Sequence, residues 1–276
     1  MNAELLAVAF GLLSALSWGA GDFSGGLASR RAHPYAVAVL VSTTGLTLFA
    51  LLALLRGERF FPGDVGWAVL AGTSGALGLL SLYRAFTAGQ MGLAAPVAGV
   101  SGAVLPVLLG AVLEGLPGGL QLLGFGVGLL GVWLASRPEG TVRPTGLAWA
   151  LLAGLGFGGY FVLIDRVEGL FWPSALAKLA ALVLTLAYAL LKRPKRWPRP
   201  REWPLVALAG ALDAGGNLFF LAAAQSGRLD VAAVISSLYP ASTVLLARVM
   251  LHERLHRAQA LGVLLSLGAI ALISAG

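Results

Sequence analysis

The chain is a succession of apolar stretches of membrane-spanning length, and the short breaks between them hold most of its charge. A helix needs about 20 mostly apolar residues to cross the hydrocarbon of a bilayer. The breaks leave ten such stretches, approximately 4–27, 34–55, 65–88, 92–113, 119–136, 146–165, 171–191, 204–225, 230–250 and 257–275. Strands of a membrane barrel would alternate in polarity over about 10 residues, whereas these runs are continuously apolar. The sequence therefore predicts an all-α polytopic membrane protein with ten transmembrane helices. The first stretch follows no basic segment and is too long for a signal-peptide core, so it is expected to be retained as a span. The expected location is the cell inner (plasma) membrane, as a multi-pass protein.

Composition narrows the chemistry. The residues are 58% hydrophobic and 11% charged, with a net charge of +7. The basic residues lie in the breaks and form no continuous face, so the expected partner is the lipid bilayer and not a nucleic acid. With no cysteine there is no disulfide, thiolate metal site or cysteine nucleophile, and His33, His252 and His256 lack zinc-ligand spacing. No metal or cofactor is expected. The histidines sit at span edges, which argues against a membrane-embedded enzyme. The sequence has no G-x-x-x-x-G-K-[ST] loop, so any transport would draw on a gradient and not on nucleotide hydrolysis.

The two halves repeat. A shift of 138 residues lays "AGTSGALGLLSLYRAFTAGQMG" over "AGALDAGGNLFFLAAAQSGRLD", matching Ala71 with Ala209, Gly72 with Gly210, Ala85 with Ala223 and Gly89 with Gly227. A shift of 139 sets Trp18 opposite Phe157 and Gly19 opposite Gly158. The units are residues 1–138 and 139–276, five spans each. An odd number of spans per unit makes the halves enter the membrane from opposite sides, giving the inverted repeat on which alternating-access carriers are built.

"SLYPASTVLLARVMLHERLHRAQALGVLLSLGAIALIS", Ser237 to Ser274, resembles the second half-repeat of the EamA family in the drug/metabolite transporter superfamily. It has a Pro in the ninth helix, a Glu at the following turn and a Gln-x-x-Gly opening the tenth. "AAPVAGVSGAVLPVLLGAVLEGLPGGLQLLGFGVGLLGVWLAS" is similar to the matching part of the first half, with Glu114 and Gly124 in the corresponding roles. The resemblance implies a ten-helix, exporter-like fold with a cavity between the halves, lined mainly by helices one, three, four, six, eight and nine. It also implies efflux of small metabolites such as amino acids.

Polar residues inside the spans are the candidate site. Asp22 must face the interior or a wet cavity, because a charge in a span costs a few kcal/mol. Trp18 lies one turn earlier on the same face. Depth along the helices makes Arg84 the expected partner of Asp22, either as a static ion pair or as part of a substrate or proton site. Asp213 falls near the midplane of the eighth span, with Asn217 one turn away and no basic residue in that span. It is the expected coupling acid, a protonated structural carboxyl being the alternative. Tyr83, Tyr160, Gln225, Ser236, Ser237 and Tyr239 fall in the helices expected to line the cavity, with Phe157 as a further aromatic wall. Lys178 and Arg248 read as snorkelling or paired. Pro96, Pro106 and Pro240 are expected to interrupt helices four and nine.

Gly124-x-x-x-Gly128 within "GFGVGLLG" permits close helix approach. The expected contact is helix five against helix ten in a monomer, a homodimer face being the alternative. For orientation, the odd-numbered loops carry Arg30, Arg31, Arg137, Arg143, Lys192, Arg193, Lys195, Arg196, Arg199, Arg201, Arg254 and Arg257, against Arg56, Arg59, Arg166 and Arg228 in the even ones. The positive-inside rule would put both termini outside, while the resemblance implies cytoplasmic termini. Taken together, the sequence points to a secondary transporter of a small-molecule substrate, with apolar or aromatic compounds favoured. Proton coupling is carried by Asp213 or Asp22, and an uncoupled facilitator is the alternative.

Overall fold

The computed structural model describes residues 3–88, 91–135, 146–194, 196–251 and 257–275. Five helices form the first half: α1 Ala3–Ser29, α2 Pro34–Arg56, α3 Asp64–Ala88, α4 Met91–Leu113 and α5 Gly119–Ala135. The second half holds α6 Leu147–Ile164, α7 Phe171–Lys192, α8 Trp203–Ser226, the short α9 Leu229–Ser236, α10 Tyr239–Leu251 and α11 Arg257–Ala275, with a single 3-10 turn at Pro200–Glu202. Ten apolar segments result, because α9 and α10 share one span. Their boundaries fall within two residues of those read from hydropathy, apart from that one break.

The break has a covalent cause. Pro240 has no N–H to give to the carbonyl four residues back, which is Ser236, and its ring collides there. Helix α9 accordingly ends at Ser236, and α10 begins at Tyr239 with the proline in its first turn. Helix α4, in contrast, runs on through Pro96 and Pro106, so the expectation of an interrupted fourth helix is corrected. The joint "TAGQMG" lies partly outside the described residues, whereas "AQSGRLD" closes as a link of Gly227 and Arg228 between α8 and α9.

The halves interlock. Helix α1 packs along α8, α10 and α9, while α6 packs along α3 and α4, which is the same arrangement with the halves exchanged. Gly216 on α8 lies flush against the Trp18 ring, and a Cβ there would overlap the indole. Its counterpart in the first half, Gly78 on α3, would place a Cβ 2.9 Å from the Phe157 ring. The Trp18 and Phe157 correspondence read from sequence is thus a correspondence of contacts, each aromatic ring seated on a glycine of the other half. Helices α5 and α11 pack against each other, with Gly124, Gly128 and Gly131 meeting Ile273, Ala269 and Ser266. That is the expected contact of the fifth span with the tenth.

Helix α3 meets α7 where the backbone of Gly72 lies on Ala177, so closely that a Cβ would overlap the Ala177 carbonyl. Since backbone cannot turn aside as a side chain can, Gly72→Ala is expected to cost about 1–3 kcal/mol through overpacking. Gly66, on the same helix with nothing within 4 Å of its would-be Cβ, is the matched control. In thermal scans of the purified protein, Gly72→Ala should melt lower while Gly66→Ala leaves the midpoint unchanged or slightly raised.

Candidate functional site

Where the halves meet, α1, α6, α8 and α10 bring six of the ten predicted site residues together: Trp18, Asp22, Tyr160, Asp213, Asn217 and Tyr239. The aromatic wall is continuous. Trp18 lies 5.7 Å from Phe161, 6.0 Å from Phe220 and 6.2 Å from Tyr239, ring centre to ring centre. Tyr160 lies 6.0 Å from Phe161 and 6.3 Å from Phe220, and Phe161 and Phe220 are 4.4 Å apart. Offset and edge-on aromatic pairs at these separations add roughly 0.5–1.5 kcal/mol each beyond the area they bury.

The charges are arranged differently from the expectation. Asp213 is neutralised across the helices by Lys178 of α7, Nζ to Oδ2 2.5 Å, with their side chains 13% and 29% exposed respectively. The lysine stem reaches α8 by lying along Gly45 of α2. Asn217, buried at 7% exposure, donates its Nδ2 to the Asp213 carbonyl and, at 3.3 Å, to Asp213 Oδ1. Asp213 is therefore a paired carboxylate, and the reading of it as a lone acid is corrected. A lone lysine within an apolar span was the available signal for its partner.

Asp22 does not pair with Arg84. The argument from depth assumed that α1 faces α3, whereas α1 turns towards α8 and α3 packs on α6 and α7. Arg84 is exposed, with its guanidinium carbon 5.9 Å from the centre of the Trp149 ring. Asp22 stands instead beside α8, its neighbour Gly21 lying against the backbone of Ala209 and Asp213. Asp22 has neither a hydrogen-bond nor an ion-pair partner among the described residues. It is exposed, and a Cβ on the adjoining Gly21 would lie 3.2 Å from Asp213 N.

The remaining predicted residues lie apart. Phe157 is held between Gly78 and Gly102, as the symmetry mate of Trp18 and not as part of the central wall. Ser237 is 2% exposed and occupies the α9–α10 break, its N–H bonded to the Ala233 carbonyl. Its neighbour Ser236 is fully buried, with an unpartnered hydroxyl. The side chain of Tyr83 lies outside the described residues. Gln225 is structural, donating to the Val167 and Gly169 carbonyls at 3.2 and 3.1 Å.

Helix α9 closes one end of the helix assembly. It lies against α1, α4 and α8, and every one of its residues is buried. At its base Arg228 forms two bonds to Asp230, 3.1 and 2.7 Å, and reaches the carbonyls of Glu114 and Gly115 at 3.3 and 2.7 Å, tying the halves together. Nearby, outside the spans, burial pushes the Asp165 carboxyl up to about 6, with Arg166 opposing and Glu114 adding to the shift. The folded chain holds that proton more tightly than the unfolded one. This group therefore adds stability as pH falls through about 6 towards the ordinary carboxylate range.

A second set of carboxylates closes the same face. Glu58, in the α2–α3 connection, accepts the N–H groups of Leu170, Phe171 and Trp172 at 2.7–3.0 Å, capping α7 from the other half. Asp64 accepts those of Glu168 and Gly169 at 3.0 and 2.9 Å.

Comparison with known proteins agrees with this architecture. The crystal structure of another protein superposes with a TM-score of 0.79 at 23% identity, over 96% of this chain and 95% of the other, which establishes likeness of fold. No curated protein matches the chain. The model of the EamA-like transporter family matches twice, over residues 5–137 and 144–275. With two matched repeats covering almost all of its length, this multi-pass membrane protein belongs to the EamA-like transporter family.

Proposed function

We propose that the protein is a secondary exporter of small metabolites, amino acids or other amphipathic and aromatic compounds, working by alternating access in the plasma membrane. One observation carries this reading: an exposed carboxylate, Asp22, stands one turn from Trp18 at the seam between two inverted repeats, where the aromatic cluster and the Lys178–Asp213 ion pair meet. Flat rings suit an apolar body, while the charges suit an amine or a zwitterion. A site for sugar phosphates would need several cations, whereas the ion pair seen among the described residues here supplies Lys178, already engaged by Asp213. Asp22 is the proton site in this reading, because Asp213 already has a cation. The ion pair is also what favours the rival reading, an uncoupled facilitator, since a neutralised Asp213 has no need of a proton.

The test is counterflow of radiolabelled amino acids in proteoliposomes, with and without an imposed pH gradient. The coupled carrier should accumulate substrate against its gradient, and Asp22→Asn should lose accumulation while retaining exchange. Accumulation that never exceeds equilibration in the native protein would establish the facilitator. If no amino acid moves in either mode, the substrate class is wrong.

A further inference from the structure

The face opposite the α9 seal carries a charge concentration that the transport reading does not use. Between α7 and α8 the chain runs "KRPKRWPRPREW", residues 192–203, with Pro194, Pro198 and Pro200 stiffening it. Lys192, Arg193, Arg196, Arg199 and Arg201 are all exposed. The one acid in the stretch, Glu202, is withdrawn to 2% exposure, where it accepts from Arg199 N at 2.9 Å and stands 3.8 Å from Arg196. The α1–α2 connection is fastened alongside by His33 N–H donating to the Arg196 carbonyl at 2.9 Å, which adds the exposed Arg30 and Arg31. The result is a shelf of cations at the level where two spans end.

Two tryptophans place the shelf at the interface. Trp197 is 42% exposed and Trp203 56% exposed, with Trp203 Nε1 bonded to the Pro198 carbonyl at 3.3 Å. Exposed indoles at helix ends belong in the headgroup layer, and basic clusters immediately beside a span attract anionic lipid. We infer that this shelf is a binding surface for anionic phospholipid headgroups of the adjoining leaflet, with arginines on the phosphates and Trp197 and Trp203 among the upper acyl carbons. The inference also accounts for the orientation conflict. Six of the twelve basic residues in the odd-numbered loops lie in this one segment, where they serve lipid binding and so do not report on topology.

The test uses the full-length protein in vesicles of phosphatidylcholine mixed with phosphatidylglycerol, one lipid or the other carrying brominated acyl chains. Tryptophan quenching is compared with that of Trp197→Phe/Trp203→Phe, so that the signal from the shelf is isolated. Brominated phosphatidylglycerol should quench these two residues more strongly than brominated phosphatidylcholine. Replacing Arg196, Arg199 and Arg201 together with Gln should lower that preference by on the order of tenfold or more. Arg56→Gln/Arg59→Gln, on the opposite face, should leave it intact. Equal quenching by the two lipids in the native protein would overturn the inference, as would a preference that survives the triple variant or falls equally with the opposite-face pair.

Discussion

Lys178→Met should be the most damaging single change in the central site, and adding Asp213→Asn to it should return most of the lost stability. Removing one partner of a buried ion pair leaves the other charge in low dielectric, a cost of roughly 3–5 kcal/mol, whereas replacing both with neutral groups of similar shape is often close to neutral. For a chain of this size each kcal/mol moves the melting midpoint by roughly 2–4 °C, so the single variant should melt roughly 6–20 °C lower. Thermal scans of the single and double variants in the same detergent measure this directly. Equal melting of native protein and Lys178→Met would mean that Asp213 is not held by Lys178. Transport by the folded double variant then separates the two readings of function. A carrier that needs the pair loses accumulation even though it folds, while a facilitator that uses the pair only to set helix packing keeps its flux.

Glu58→Ala should unfasten the halves at the α9-sealed face. Its carboxylate alone satisfies the first-turn N–H groups of α7, because Leu170 at the N-cap position makes no side-chain cap bond. Loss of an ordinary N-cap costs about 1 kcal/mol, and hydrogen bonds to a charged group are worth about 1.5–3 kcal/mol each before water replaces any of them. The expected loss is therefore about 2–4 kcal/mol, with Glu58→Gln intermediate because one acceptor oxygen remains. Amide hydrogen exchange should localise the effect, rising at 170–172 well before the rest of α7, while 168 and 169, bonded to Asp64, stay protected. Uniform exchange along α7 in the alanine variant would show that the cap is dispensable.

The spans were legible because bilayer thickness and helical rise together fix how long an apolar run must be, and this chain satisfies that condition ten times. The interlocked halves were legible from the two register shifts. Which way each helix faces was not. Asp22 and Arg84 do lie at similar distances from the ends of α1 and α3, but azimuth is set by packing, and the glycines that seat α1 on α8 turn Asp22 towards Asp213. Glu58 left no local trace, since its partners lie more than 110 residues away and no capping signature precedes α7. The charged set is also where the repeat fails. Asp22 corresponds to Phe161 and Asp213 to Gly75, so the residues that break the symmetry were the ones to inspect for function.

The buried state of α9 has a thermodynamic consequence for any motion that opens its end of the molecule. Leu229, Val231, Val234 and Ile235 are between 0 and 2% exposed, and a vestibule opened on that side would hydrate them. Hydrating apolar surface raises heat capacity. In the proposed alternating-access cycle, the exchange between the two accesses should therefore follow a curved van't Hoff plot, with an enthalpy that changes steadily on warming. Rates extrapolated from cold measurements would then misstate the balance of conformations at working temperature.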